Sequence, residues 1–150
     1  MKTLLYIIFI LQFNTVYAKN NHWETHYQKI HCNDIQGRTE VRIKYGRIDC
    51  ETEKYAIEHD FAKKAFECIG QALYYAEVTN KIPVCALIFE HGASDVKATA
   101  IFNKATTHIP NIYLVKIFQD NNGIKCKIDN SKANNSKIHN KDLCKIIHLK

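Results

Sequence analysis

The segment from Arg47 to Tyr75 constrains the fold most strongly, because its hydrophobic period changes from that of a strand to that of a helix. Tyr55–Phe61 alternates apolar and polar side chains, as a half-buried strand does. The side chains on one face are those of Ile57, His59 and Phe61, and the side chains on the other are those of Ala56, Glu58 and Asp60. From Phe61 to about Val78 small apolar residues recur at helical spacing. The pattern therefore predicts a strand that runs directly into a helix.

Two acids of this segment are expected to meet. Asp49 lies in a short strand, Arg47–Cys50, and Glu58 lies in the next one, so that both can point to the same face. Close carboxylates repel each other unless a cation offsets their charge, and hard oxygen ligands suit Mg²⁺ or Mn²⁺. The alternative is two solvated acids with ordinary ion pairs, since exposed carboxylates are common on strands.

The same residues carry a family resemblance. Asp49, Glu58 in a short strand and a helix with Gln71 and Tyr75 resemble the PD-(D/E)XK nuclease superfamily. The Gln-x-x-x-Tyr spacing is similar to that of its RecB-like branch, and the whole string is similar to small uncharacterised bacterial and phage proteins of that type. The similarity runs from about Cys32 to Phe89. It implies a restriction-endonuclease-like α/β core, with a mixed sheet flanked by helices, and hydrolysis of DNA or RNA with Mg²⁺ or Mn²⁺.

The resemblance implies that Asp49 and Glu58 hold the metal and act in catalysis. The family places a lysine two residues beyond the second acid, where this chain has Asp60. Asp60 is then either a further metal ligand or the N-cap of the helix that follows. Lys63 or Lys64, in the first helical turn, is expected to bring an ammonium group to the site instead.

Three further residues are assigned through the resemblance. Glu40, ahead of the aspartate strand, corresponds to a glutamate that often completes the acidic cluster, and a salt bridge with Arg38 or Arg42 is its alternative role. Gln71 and Tyr75 lie one helical turn apart and are expected to contact the substrate near the acids. Their alternative is the polar edge of a helix.

The remaining pattern predicts an α/β fold. A first helix is predicted at His22–His31, a turn at Cys32–Gly37 and a strand at Thr39–Ile43. Val84–Phe89 is almost continuously apolar, as in a strand covered on both faces. A strand, a crossover helix and a buried strand form a βαβ-like unit. Further on, residues 96–106 are ambiguous but compatible with a helix, and residues 112–118 are predicted to form another strand.

The N-terminal residues 1–18 have the features of a signal peptide. Lys2 supplies the positive charge, Leu4–Phe13 is an apolar run too short for a comfortable membrane span, and Ala18 provides a small residue for cleavage. An uncleaved anchor is the alternative. We expect a secreted or periplasmic protein with no stable membrane insertion after cleavage, and a formal net charge that falls from +6 to +5 with the loss of Lys2. This basicity is consistent with a polyanionic partner such as nucleic acid.

Two regions are expected after the signal peptide. Residues 19–120 suffice for one nuclease-like α/β domain with a real core. Residues 121–150 are rich in lysine and asparagine and are predicted to form a basic C-terminal extension, either a mobile tail or a disulfide-closed appendage.

All six cysteines follow the signal peptide, and an exported chain is free to oxidise them. Cys32 and Cys50 flank a hairpin-like region, and Cys126 and Cys144 bracket the basic extension, so these are the two predicted bridges. The remaining two, Cys68 and Cys85, are either free in the core or paired with each other. No Cys-x-x-Cys pair of the kind found in zinc knuckles occurs.

Three functions remain open at this level. The main prediction is an exported metal-dependent nuclease. The alternatives are a non-catalytic nucleic-acid-binding protein of the same fold and a periplasmic interaction module that uses the basic extension.

We predict cleavage after Ala18, because the apolar run and the small residues near position 18 match what a signal peptidase recognises. N-terminal sequencing of the exported protein should then begin at Lys19. A mature chain that still starts at Met1 and fractionates with membranes would contradict the export prediction.

Overall fold

Six strands form one mixed sheet in which each strand lies beside the next one along the chain. This arrangement is seen in a computed structural model that describes residues 23–90, 95–120, 123–129 and 142–144. The strands are β1 (Arg38–Ile43), β2 (Gly46–Glu51), β3 (Tyr55–Phe61), β4 (Ile82–Phe89), β5 (Tyr113–Asp120) and β6 (Gly123–Asp129). The helices are α1 (Glu24–Asp34), α2 (Ala65–Thr79) and α3 (Asp95–Ala105), and a short 3₁₀ turn (Ala62–Lys64) precedes α2.

The centre of the sheet is parallel and its two edges are antiparallel. β3, β4 and β5 run in the same direction, with α2 and α3 as the crossover helices between them. β1 pairs with β2, β2 with β3, and β5 with β6 in antiparallel fashion. The predicted α/β class and the mixed sheet flanked by helices are therefore confirmed. The strand Tyr55–Phe61 has the predicted bounds, and the ambiguous residues 96–106 fall almost entirely within helix α3.

Both faces of the parallel strands are covered, which explains the continuous apolar run of β4. One face packs with α1 and the other with α2 and α3. The alternate residues Val84, Ala86 and Ile88 belong to the first core, and Cys85, Leu87 and Phe89 belong to the second. Burying a side chain of this kind stabilises the fold by roughly 1.5–3 kcal/mol relative to leaving it exposed.

Three disulfides connect these layers, and no cysteine is free. One ties α1 to β2, one ties α2 to β4, and one ties β6 to the described residues near position 143. Both predicted bridges are confirmed, and the open question about the remaining two cysteines is answered by a third bridge. The pairs are Cys32–Cys50, Cys68–Cys85 and Cys126–Cys144.

The first helix ends later than predicted. α1 extends to Asp34, so that Cys32 lies in the helix rather than in the predicted turn. Gly37 follows, and a Cβ there would lie 2.5 Å from Cys50 Sγ and 2.7 Å from Cys32 Sγ. The chain therefore passes against the sulfur atoms of the bridge at a position where only glycine fits without displacement.

Part of the predicted C-terminal extension belongs to the sheet. β6 pairs with β5 along its whole length, and Ile124 and Ile128 point into the core while Lys125 and Lys127 are exposed. Leu143 is buried in the same core. The prediction of a basic extension was therefore wrong for β6, where lysines alternate with buried apolar residues of a strand. Residues 121–122, 130–141 and 145–150 of the predicted extension, and the predicted signal peptide at 1–18, lie outside the described residues.

Among the described helices, none is long and apolar enough to cross a membrane.

Two of the bridges close loops of equal length and should differ in their effect on stability. Cys32–Cys50 and Cys126–Cys144 each span 18 residues, for which loop-closure entropy alone gives about 3 kcal/mol. We predict that replacing both cysteines of the first pair by alanine lowers the free energy of unfolding more, because both are fully buried, whereas the second pair is only partly buried. Urea unfolding of the two double variants measures the difference. Equal decreases in the free energy of unfolding of the two double variants would contradict a contribution from packing.

Candidate functional site

An open cleft of about 540 Å³ lies between the β1–β2 hairpin, the ends of β2 and β3, and one face of α2. Acidic, basic and polar side chains line it together. The acids are Glu24, Asp49, Glu58, Asp60 and Glu67, the bases are Arg42, Arg47 and Lys64, and the others include Gln71 and Tyr75. Most of the residues predicted from the sequence to form the site therefore converge on one cavity.

Strand register brings Asp49 and Glu58 to the same wall. β2 and β3 pair through Cys50 opposite Ile57, and one further step of that register would set Asp49 opposite Glu58. There the carboxylate of Asp49 intervenes, because its Oδ2 accepts the backbone N–H of His59 at 2.9 Å. The paired residues of β2 and β3 thus end one step before the two acids that line the cleft.

Both acids are buried in the wall of the cleft. Glu58 is 6% exposed, and its Oε2 has no hydrogen-bond partner among the described residues. Burial raises the pKa of Glu58 to about 9, and the charges of Asp49 and Asp60 add to the effect. Burial likewise raises the pKa of Asp49 to about 6, against the opposing hydrogen bond from His59.

Glu24 is a site residue that the sequence analysis did not identify. It is the first residue of α1 and lines the cleft. Burial and the charges of Asp60 and Asp49 raise its pKa to about 7, and it hydrogen-bonds to Asp60. Two carboxyl groups can share a hydrogen bond only when one of them is protonated. The sequence signal for Glu24 was an acid near the start of a predicted helix. The position of Glu24 over β3 depends on how α1 packs on the sheet, which the sequence pattern does not give.

The two candidate lysines occupy different places. Lys64 lines the cleft, with its Nζ 3.3 Å from Asp60 Oδ1 and 3.7 Å from Glu67 Oε2. Lys63 is not among the residues that line it, and its Nζ lies 6.0 Å from the centre of the Phe61 ring. Only Lys64 is therefore placed to serve the site.

Asp60 is not the N-cap suggested as its alternative role. The N-cap of the 3₁₀ turn is Phe61, which has no side-chain cap, and Asp60 Oδ1 accepts the N–H of Phe61 at 2.9 Å. The carboxylate of Asp60 remains in the cleft beside Lys64.

Glu40 does not line the cleft. Its Oε2 lies 2.6 Å from Arg47 Nη1, and its Oε1 accepts the Nε2–H of Gln28 at 2.7 Å. The salt bridge considered as its alternative role thus exists, but with a different arginine, because Arg38 pairs with Glu51 instead. Glu40 has a φ of +60°, which is outside the ordinary range of a strand residue.

Gln71 and Tyr75 both line the cleft from α2, so they share one face of the helix as their one-turn spacing predicted. Tyr75 hydrogen-bonds to the backbone of Arg47, and burial raises its pKa. Its ring also rests on Gly46, where an added Cβ would lie 2.8 Å from Cε1. Tyr75 thereby fixes the β1–β2 hairpin against α2.

A buried histidine pair supports the site from the opposite face of the sheet. His31 Nε2 is 2.8 Å from the carbonyl oxygen of Leu143, and His31 Nδ1 is 2.8 Å from His59 Nε2. A carbonyl only accepts, so in the neutral pair His31 donates to Leu143 and His59 donates to His31. Burial lowers the pKa of both imidazoles, which favours this neutral arrangement. His59 Nδ1 is then an acceptor, 3.9 Å from Asp49 Oδ2.

His31 also lies with the sulfur atoms of Cys126 and Cys144, all within 4.8 Å of one another. The disulfide between these cysteines uses both sulfur atoms, so that the group does not form a thiolate metal site in this oxidised structure.

Comparison of the chain with protein-family models, with curated proteins and with solved structures gives no match. The geometry of the cleft is therefore the basis for any statement about function.

The buried acids predict an unusual pH dependence of stability. A carboxyl group whose pKa is raised by folding favours the protonated state, so the metal-free protein should lose stability as the pH rises from 4.5 through about 9, mainly because of Glu58. We expect Glu58→Gln to raise the metal-free melting temperature at pH 8 by several degrees, since about 1 kcal/mol corresponds to roughly 3–6 °C for a domain of this size.

Scanning calorimetry from pH 5 to pH 9 with EDTA checks this prediction, and Mn²⁺ should restore stability to the wild type at pH 8. Glu77→Gln is the control, because Glu77 is an exposed acid on α2 that does not line the cleft. A wild-type melting temperature that rises with pH in EDTA would contradict the prediction.

Proposed function

We propose that the protein is an exported metal-dependent nuclease that hydrolyses phosphodiester bonds of DNA or RNA. The observation that supports this proposal most is the buried Glu58 carboxyl group, which stands beside Asp49 in an open cleft and whose Oε2 has no hydrogen-bond partner among the described residues. A protein retains buried carboxylates of this kind at a considerable free-energy cost, and such groups are concentrated at functional sites.

The donor set fits Mg²⁺ or Mn²⁺. Asp49 and Glu58 would hold the ion, with Asp60 and Glu24 as further oxygen donors in the same cleft. All are hard carboxylate oxygens, and the described residues that line the cavity include no cysteine or histidine. When bound, the cation would neutralise charge on the phosphoryl group and acidify a water molecule.

We assign to Lys64 the role that the lysine two residues beyond the second acid has in the resembled superfamily. The hydrogen bond and charge of Asp60 raise the pKa of Lys64, so the ammonium form is favoured. A permanently charged ammonium group donates hydrogen bonds to phosphoryl oxygens or to the attacking water. It does not act as the base that removes a proton from that water.

Gln71 and Tyr75 complete the wall on the α2 side. The amide of Gln71 can both donate and accept hydrogen bonds, which suits contacts with a sugar-phosphate backbone. Tyr75 holds Gly46 and Arg47 of the hairpin in place. We assign substrate contact to Gln71 and positioning of the hairpin to Tyr75.

Export is part of the proposal. Three disulfides among six cysteines fit an oxidising compartment, and residues 1–18 carry the features of a signal peptide. We therefore propose a secreted or periplasmic location.

One observation favours a second candidate function. Asp60 stands where the resembled family has its lysine, and its ion pair with Lys64 lowers the positive charge available to a substrate. A nucleic-acid-binding protein of the same fold without catalytic activity would have this substitution. Cleavage assays distinguish the two candidates.

Neutral variants of the two central acids should abolish activity without unfolding the protein. We expect Asp49→Asn and Glu58→Gln to lower metal-dependent cleavage by at least about 10²-fold, because each leaves the cation with one fewer charged ligand. Lys64→Ala should reduce cleavage strongly and Lys63→Ala only slightly, since only Lys64 lines the cleft. The Lys63 variant is thus a matched control one residue away.

The measurement is cleavage of single- and double-stranded DNA and RNA with Mg²⁺, Mn²⁺ or EDTA, beside calorimetric titration with Mn²⁺. If the wild type binds nucleic acid but no metal and cuts nothing, the non-catalytic candidate is correct. If Asp49→Asn cuts as fast as the wild type, the assignment of the site is wrong.

A further inference from the structure

The tip of the β1–β2 hairpin stands at the rim of the cleft and has no role in the proposed chemistry. Ile43 and Gly46 line the cleft and pair with each other, so the two residues between them, Lys44 and Tyr45, form the turn at its edge. Tyr45 is 71% exposed, and Lys44 Nζ lies 4.9 Å from the centre of its ring. A large exposed aromatic ring beside a cation, at the rim of a polar cleft, is a recognition feature rather than a folding one.

The charge of the hairpin is opposite to that of the cleft floor. Arg42, Lys44 and Arg47 are exposed on it, and within the described part of the chain neither Arg42 nor Lys44 forms an ion pair. Arg42 and Arg47 also line the cleft. A polyanion that approaches the acids would therefore first contact a cationic edge.

The hairpin is also held rigidly. Five residue pairs join β1 to β2, and the ring of Tyr75 rests directly on Gly46. A Cβ at residue 46 would approach Tyr75 Cε1 to 2.8 Å, so the contact is close. Tyr45 is thus presented at a fixed position, which reduces the entropy lost when a ligand binds to it.

We propose that this hairpin binds single-stranded nucleic acid, with the ring of Tyr45 stacked on an unpaired base and Arg42 in contact with a phosphate on the way into the cleft. The proposal rests on the proposed function and names its substrate class. Stacking on an aromatic ring together with backbone contacts from basic residues is how proteins bind single strands without reading their sequence. Bases in a duplex already stack on each other, and exposing one to Tyr45 would require unstacking it.

Fluorescence anisotropy of the mature, disulfide-bonded protein with labelled oligonucleotides tests the proposal, in EDTA so that no cleavage occurs. The probes are a single-stranded DNA, a single-stranded RNA and a DNA duplex of equal length. We expect tighter binding of the single strands than of the duplex. Tyr45→Ala should weaken single-strand binding roughly tenfold or more, whereas Tyr45→Phe should retain it because the ring remains.

Salt dependence separates the phosphate contact from stacking. Arg42→Ala should reduce the slope of log Kd against log salt by about 0.7, the value for one phosphate contact with a single strand. Tyr45→Ala should weaken binding without changing that slope. The matched controls are Phe66→Ala, which removes a ring that is 70% exposed outside the cleft, and Lys97→Ala, which removes an exposed charge on α3.

The proposal is overturned if Tyr45→Ala binds single strands as tightly as the wild type, or if the duplex binds as tightly as they do. A loss with Phe66→Ala equal to that with Tyr45→Ala also overturns it. Calorimetry with Mn²⁺ and the cleavage assay keep the two proposals distinguishable. If binding depends on Tyr45 but no metal-dependent cleavage occurs, the hairpin assignment is correct and the nuclease assignment is wrong. If metal-dependent cleavage occurs and does not depend on Tyr45, the nuclease assignment is correct and the hairpin assignment is wrong.

Discussion

The hydrogen bond from the His59 backbone N–H to Asp49 Oδ2, 2.9 Å long, determines the local shape on which the cleft depends. It takes the place of a backbone contact between β2 and β3, whose regular pairing stops at Cys50 and Ile57. Asp49 and Glu58, one step beyond the last paired residues, both line the cleft. A side-chain carboxylate has thus ended a sheet ladder at the place where a site needs an opening.

The disulfides hold these repelling acids in position. Cys50, bridged to α1, directly follows Asp49 in the chain, and Cys68 Sγ, bridged to β4, lies 3.5 Å from the backbone oxygen of Glu58. Unfolding would relieve the repulsion between the acids, and each bridge restricts the unfolded chain and so opposes that outcome. Covalent links close to the acids are a physical means of keeping carboxylates with pKa values raised to about 6 and about 9 in a folded domain.

Local pattern was sufficient for the fold and for the acids of β2 and β3, because a period of two fixes which side chains share a face. It was insufficient where tertiary contacts decide. The carboxyl group of Glu24 reaches the cleft because α1 packs on β3, and Glu40, assigned through the resemblance, is drawn to Arg47 and Gln28 instead. β6 was interpreted as a tail because its exposed lysines outweigh the signal of Ile124 and Ile128, whose burial depends on pairing with β5.

The charge balance of the cleft shows what an acid at position 60, instead of a lysine, means physically. The lining residues include five acids and three bases, so that full ionisation leaves two negative charges in excess. Lys64 forms ion pairs with Asp60 and Glu67, which are two of these five acids, so its charge is already included in the balance. A lysine in place of Asp60 would have made the cleft neutral. With Asp60 present the excess equals the charge of one divalent cation, and the alternative is to keep carboxyl groups protonated, as the raised pKa values of Glu24 and Glu58 indicate for the metal-free protein. Asp60 therefore increases the negative charge in the cleft that protonation or a bound cation would have to offset.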